Sequence, residues 1–350
     1  MSSPIFITND EVKSVLTWPL INESIEEAFK SVVSEDKYPL IGDQDQPYAN
    51  QNARTRTSTH NDSGSLFTMP GYIGNHKLSL PNGERKAFQT LGCKLVTWSP
   101  NNQNLKPPLP TILANILLLD GETGQLQCVM DGTLITAWRT ASASVVATKY
   151  LYFGRKHVQG SSDGVTLAIL GCGVQGESHA LGMCTEFKVN EIRLWNRTAS
   201  KAVELSAKLD EARNSFVNSN PIITVCPRVA DCVAGADIIV TGTQTAAPIL
   251  NLDMLKKDVH INAVGASASH YSELNQDIYD VASVYIDYWA GAKTELAGLR
   301  TNIVCEVGEV IINDKKTPEK GITVFQSLGM AVEDAAVAQA VYQHLKNKQL

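Results

Sequence analysis

The sequence predicts an α/β protein with two parts: a doubly wound parallel sheet, and a second, α+β domain built on an antiparallel-rich sheet. Three observations carry that expectation. Before residue 133 short β-branched and apolar runs are separated by Gly, Pro and Asn; beyond about 164 similar runs alternate with helical stretches; and TLAILGCGVQGESHA (166–180) joins a strand to a helix through spaced glycines. At 350 residues the chain exceeds what one hydrophobic core usually serves, so two domains are expected, 1–140 with 323–350 and 141–322.

The totals narrow the class. Hydrophobic residues make up 43% and charged residues 19%, the balance of a folded globular chain rather than a disordered or fibrous one. A net charge of -6 argues against a surface that tracks phosphates, so no nucleic acid is expected as a partner. No apolar run reaches the ~18 residues of a membrane span, and MSSPIFITNDEV lacks the regions of a signal peptide, so a cytoplasmic protein with no membrane partner is expected. The seven cysteines form no CxxC pair, which fits reduced thiols. The seven histidines show neither HExxH nor HxH spacing, and no metal site is expected.

Taken in order, the first element is a helix capped by Thr8, with Asp10 and Glu11 in its first turn. A second helix carries Ile21, Ile25, Phe29 and Val32 on one side. RTRTSTH, GSLFTMPGY, GCKLVTW, TILANILLLD and QLQCVMDG then read as strands of an antiparallel sheet, the last two closed by Gly121-Glu122-Thr123-Gly124. GNHKLSLPNGERK (74–86) and SPNNQNLKPPLP (99–110) read as surface loops. LITAWRTASASVVATKYLY, beginning near 133, reads as a long helix. Six strands follow at 166–170, 191–195, 222–226, 236–241, 259–264 and 283–287, with helices between them, and 329–349 reads as a final helix returning to the first domain.

The glycine loop sits where each glycine has a use, and the domain is therefore of Rossmann type. Gly171 suits a tight turn, Gly173 lets a pyrophosphate approach the backbone, and Gly176 lets helix and strand pack closely. The helix N-terminus offers its unbonded N–H groups to the phosphates. At the end of the second strand an NAD-selective site normally presents a carboxylate to the ribose. Here stand Asn196, Arg197 and Thr198, which favour the 2′-phosphate of NADPH, with NADH possible. In the other domain Arg54 or Arg56, Lys94 and Arg139 lie in or beside β-like or apolar segments, where a cation either pairs with a protein carboxylate or awaits one on a ligand.

AWRTASASVVATKYL (137–151), LAILGCGVQGESH (167–179), LWNRT (194–198), INAVGAS (261–267) and TVFQSLGMAVEDAAVAQAVY (323–342) together resemble the ornithine cyclodeaminase and mu-crystallin family over nearly the whole length. The resemblance implies a homodimer whose first domain, serving substrate and dimerisation, is completed by the C-terminal helix. It implies a coenzyme in the second domain, lined by Thr140, Val174, Gln175, Thr241, Val264 and Leu328 besides the residues above, and a small amino or imino acid between the domains. Carried over by position, Arg54 and Arg139 match the family's carboxylate clamp and Lys94 its lysine beside the reacting nitrogen. Ser267 stands where cyclodeaminases carry an aspartate, and a serine hydroxyl is no base near neutral pH.

The resemblance therefore implies NADPH-dependent reduction of cyclic ketimines bearing an α-carboxylate, of piperideine or pyrroline 2-carboxylate type. Its rivals are an amino-acid dehydrogenase, an ornithine cyclodeaminase, and a protein that only binds a small thyroid-hormone-like acid alongside NADP. Two departures bear on substrate. The stretch between Met69 and Lys94 is longer than in mu-crystallin by roughly a dozen residues, beyond common loop lengths. The family's downstream strand often ends in an acidic residue near the coenzyme, whereas this chain reads IDYWAGAKTEL, with Tyr288 and Trp289 as packing aromatics.

Overall fold

A computed structural model describes residues 3–33, 46–52, 54–59, 63–155, 158, 164–218, 220–265, 271–313 and 315–348. The chain divides into two compact units, Met1–Arg139 with Gly329–Leu350, and Thr140–Leu328. No helix among the described residues is long and apolar enough to cross a membrane.

Unit 1 begins with β1 (Ile5–Ile7), α1 (Asn9–Val15) and α2 (Trp18–Ser31). Thr8 and Glu11 cap α1 reciprocally: the Glu11 N–H donates to Thr8 Oγ1 at 3.3 Å, and the Thr8 N–H donates to the Glu11 carboxylate at 2.7 Å. Thr17 caps α2, whose Ile21, Ile25 and Phe29 repeat every four residues and are fully buried. The sheet comprises β2 (Tyr48–Gln51), β3 (Thr55–Ser58), β4 (Ser65–Ser79), β5 (Arg85–Trp98), β6 (Ile112–Asp120) and β7 (Leu126–Asp131), in the order β1-β7-β6-β5-β4-β2 with β3 also on β4. All pairs are antiparallel except β1 with β7. Gly121–Gly124 closes the β6–β7 hairpin as expected, with Gly124 at φ 70°.

The segment 74–86 is not a surface loop. β4 and β5 run through it as one long hairpin whose turn is closed by the Leu80 N–H on Glu84 O and the Gly83 N–H on Leu80 O. A register shift between Ile73 and His76, with Asn75 at φ 53°, absorbs the asparagine that reads as a breaker. Past the end of β2 the free edge of β4 would expose its amides. Two carboxylates of α2 take them instead: Glu27 accepts from the Lys77 N–H at 2.9 Å and Glu23 from the Ser79 N–H at 3.0 Å. The segment 99–110 holds one 3₁₀ turn, Pro100–Asn104, and is otherwise irregular, as expected.

The C-terminal helix α10 (Ala331–Lys348) lies on this sheet and is apolar around most of its circumference, with Val332, Ala335, Ala336, Val337, Ala338, Ala340 and Val341 buried. Its close approach depends on two glycines. A Cβ on Gly71 would lie 3.0 Å from Ala331, and one on Gly92 would lie 3.0 Å from the Ala335 Cβ.

Between the units' sequences runs α3 (Thr133–Leu151), inside which the division falls. Unit 2 continues with β8 (Val165–Leu170), α4 (Val174–Glu186), β9 (Val189–Trp195), α5 (Ala199–Glu211), β10 (Ile222–Val225), α6 (Val229–Val233), β11 (Ile238–Thr241), β12 (His260–Ala263), α7 (Gln276–Tyr279), β13 (Ser283–Ile286), α8 (Trp289–Glu295), β14 (Ile303–Glu306), α9 (Val307–Ile311) and β15 (Thr323–Gln326). Its eight strands, all parallel, are ordered β10-β9-β8-β11-β12-β15-β13-β14. Both faces are apolar. Leu167 and Ile169 of β8 join one buried cluster with Met183 and Leu205, while Ala168 and Leu170 join another with Ile239 and Ile261.

The six expected strands are present, and β14 and β15 are additional. β15 is the reason the return to unit 1 comes after Leu328 and not at 323: Thr323–Gln326 is inserted between β12 and β13, buried along its whole length.

Gly92→Val is expected to lower stability by about 1–3 kcal/mol, because a branched side chain has no room beneath α10. Thermal and urea unfolding measure it, and an unchanged midpoint would refute the close-approach account.

Candidate active site and coenzyme site

In unit 1, Lys94 sits mid-strand in β5, opposite Met69 of β4 and Ile116 of β6. Its side chain is buried, 1% exposed, and its ammonium lies 2.8 Å from both carboxylate oxygens of Asp334. Arg139, in α3, donates from Nη1 to Glu333 Oε2 at 2.8 Å and holds Nε 3.4 Å from Asp334 Oδ1. Gly329 stands at φ 83°, and a Cβ there would fall 2.6 Å from Arg139 Nη1, so the guanidinium rests against bare backbone. Two cations and two carboxylates thus share one buried cluster.

Burial lowers the Lys94 pKa to about 8, the nearby Arg139 charge adding to the effect and Asp334 and Glu333 opposing it. Lys94 is consequently a more willing proton donor than an exposed lysine. The acidic pair was not singled out from the sequence, although its signal is legible: Glu333 and Asp334 fall in the first turn of an otherwise apolar helix. Of the other expected substrate residues, Arg54 is exposed, just ahead of β3, whereas Lys94 and Arg139 are brought together. Arg56, its alternative, donates from Nε to Ser65 Oγ at 2.9 Å. Ser267 lies outside the described residues.

In unit 2 the strand order reverses between β8 and β11, and the glycine loop occupies that crevice at the carboxyl end of β8. Gly171 adopts φ 106°, where a Cβ would meet Gly242 O at 2.5 Å. Gly176 packs so closely that a Cβ would sit 2.0 Å from Gly171 O, and Gly173, at the N-cap of α4, faces open space. Among the described residues no side chain caps α4 and Gln175 Oε1 is a buried acceptor with no hydrogen-bond partner, while Val174 is exposed. A loop whose central glycine is open, followed by an uncapped helix, fits a dinucleotide pyrophosphate.

Asn196 is a strut. Its Oδ1 accepts from the Cys172 N–H at 3.0 Å and its Nδ2 donates to Thr198 O at 2.9 Å, so its side chain holds the loop. Arg197 is exposed and makes no hydrogen bond or ion pair among the described residues, and the Thr198 side chain makes no cap bond to α5. Thr241 ends β11, Val264 and Leu328 follow the carboxyl ends of β12 and β15, and Thr140 stands half-buried in α3.

Thr241 is engaged by a residue the sequence reading passed over. The buried Glu273 accepts from Thr241 Oγ1 at 2.7 Å and from the Gly265 N–H at 2.8 Å through Oε2, and from the Thr243 N–H at 2.6 Å through Oε1. An acidic residue after the downstream strand, which the sequence reading took this chain to lack, is present. Asp287, immediately past β13, is buried and accepts from the Leu328 N–H at 2.7 Å. Tyr288 is half-buried, but Trp289 is 36% exposed at the start of α8 and is not a packing aromatic.

A model of the ornithine cyclodeaminase/mu-crystallin family matches residues 4–349. Ketimine reductase mu-crystallin of Rattus norvegicus is 36% identical over 297 residues, 83% of this chain and 84% of the relative. Among solved structures, Δ1-pyrroline-2-carboxylate reductase of Thermococcus litoralis, in complex with NADH and L-proline, superposes with a TM-score of 0.77 at 23% identity, covering 99% of this chain and 98% of that one. An archaeal alanine dehydrogenase dimer with bound NAD gives 0.79 at 24% identity, covering 99% and 97%. These two establish the fold, and with a family match over nearly the full length and a relative aligned over most of it, the chain belongs to the ornithine cyclodeaminase/mu-crystallin family.

Proposed function

We propose that the protein reduces cyclic ketimines bearing an α-carboxylate, of piperideine or pyrroline 2-carboxylate type, to cyclic imino acids at the expense of NADPH. The observation that carries this reading is the burial of Lys94 and Arg139 in one cluster. The ketimine reductase relative supports the reaction class. When bound in unit 2, the coenzyme supplies a hydride.

The residues of unit 1 then have distinct tasks. The guanidinium of Arg139, with five N–H donors in a rigid fork, holds the substrate carboxylate and so fixes the plane of the adjoining C=N bond. Glu333 and Gly329 hold the fork in place from the protein side. Lys94 donates its proton to the imine nitrogen as negative charge develops there, and Asp334 keeps the ammonium in position. Arg54 adds to the carboxylate clamp. Ser267 supplies no carboxylate, which disfavours a ring closure that needs a base.

In unit 2, Arg197 and Thr198 stand ready for a 2′-phosphate, and no carboxylate at the end of β9 opposes one. A homodimer through the uncovered face of the unit 1 sheet is supported by exposed Phe6 of β1 and Leu113 of β6, and by the dimer of the archaeal relative.

The direct test follows loss of NADPH absorbance with five- and six-membered ketimine carboxylates; inertness towards all of them would overturn the proposal. Arg139→Lys keeps the charge but loses the fork. It should cut kcat/KM about 10- to 100-fold, the ~1.5–3 kcal/mol of a charge-assisted hydrogen bond. Because the ammonium form of Lys94 is the active one, kcat/KM should be flat at lower pH and fall as pH rises through about 8. That limb should vanish in Lys94→Arg, and its persistence would assign it to the substrate nitrogen instead. Arg197→Leu should raise the KM for NADPH by roughly tenfold and leave NADH nearly unchanged, whereas equal losses would remove the 2′-phosphate contact.

A further inference from the structure

Gln51 ends β2, a strand the sequence did not announce, and has no part in the roles above. Its rung pairs it with Gly71 of β4, which pairs in turn with Gly92 of β5. Two residues along lies the rung of Met69 and Lys94. With side chains alternating along strands, Gln51 and Lys94 share the sheet face that α10 covers.

The carboxamide is oriented from outside. Its Oε1 accepts from the Val332 N–H at 3.2 Å, in the first turn of α10, directly before the Glu333 and Asp334 that hold Arg139 and Lys94. A backbone N–H accepts nothing, so oxygen must face Val332 and the amino group must point away from it. That nitrogen is buried and has no hydrogen-bond partner among the described residues. A buried amide donor left without an acceptor forfeits its hydrogen bond to water, a loss that a ligand oxygen would recover.

We infer that Gln51 is a substrate-binding residue whose carboxamide N–H donates to the carboxylate of the bound imino acid, beside the Arg139 fork. The inference rests on the proposed reaction for the identity of the ligand. It assigns Gln51 to recognition and leaves the proton to Lys94. An uncharged donor there suits a cluster that already balances two cations with two carboxylates.

The test uses Gln51→Glu in the full-length protein. The near-isosteric carboxylate still accepts from Val332 but meets the substrate carboxylate with like charge. Two quantities are read: KM for the ketimine carboxylates under saturating NADPH, and the calorimetric Kd of pyrrole-2-carboxylate, a planar analogue that cannot be reduced by the same step. Both should rise at least tenfold, with the KM for NADPH within twofold of the parent. A cyclic imine lacking the carboxylate should show no such loss. Values within twofold of the parent in a folded variant overturn the inference.

Gln51→Met, of similar volume, provides the same reading should Gln51→Glu fail to fold, because it too removes the donor. If the parent reduces no imine yet binds pyrrole-2-carboxylate and the variant binds it tenfold more weakly, the proposed reaction falls and the Gln51 contact stands. If the parent reduces imines and the variants match it, the reaction stands and the contact falls. If the parent neither reduces nor binds, both are overturned.

Discussion

The buried ion-pair cluster of Lys94, Arg139, Glu333 and Asp334 is the constraint from which the rest of unit 1 follows. Its four members come from three places in the chain: a central strand, the helix α3, and the opening turn of α10, which supplies both carboxylates. A cation beneath a covering helix is tolerable only if a carboxylate is fixed within bonding distance, and removing one partner typically costs 3–5 kcal/mol. The C-terminal helix must therefore dock in one register, and the alanines of α10 with the glycines of β4 and β5 permit that docking. Chemistry and packing make the same demand here.

Unit 2 solves a different problem, the placement of a phosphate cradle at a crevice in a parallel sheet. Backbone does most of the work, through glycines and an uncapped helix. Side chains brace it from behind: Asn196 bridges the turns after β8 and β9, and Glu273 gathers the turns after β11 and β12. A carboxylate with several N–H and O–H donors converging on it fixes two loops without extending regular structure.

Much of this was legible in the sequence, and what was not has identifiable physical causes. The Thr8 capping box, the 3.6-residue stripe of α2 and the strand–glycine–helix junction depend on near neighbours, so local pattern reveals them. The β4–β5 hairpin was misread because its asparagine and proline are breakers only in isolation; α2 supplies carboxylates from 50 and 56 residues away to satisfy its edge. TVFQ was assigned to the domain of the last helix, since four buried residues carry no period of their own. In the site, Lys94 and Arg139 stood out as cations in apolar surroundings. Their acidic partners sit some two hundred residues further on, and Gln51 has neither charge nor motif to advertise it.

Asn196 carries an evolutionary consequence. Because its amide stitches the turn after β8 to the backbone at the start of α5, the side chains of Arg197 and Thr198 carry none of that bonding among the described residues. Substitutions at 197 and 198 can then accumulate while the turn after β8 keeps its shape.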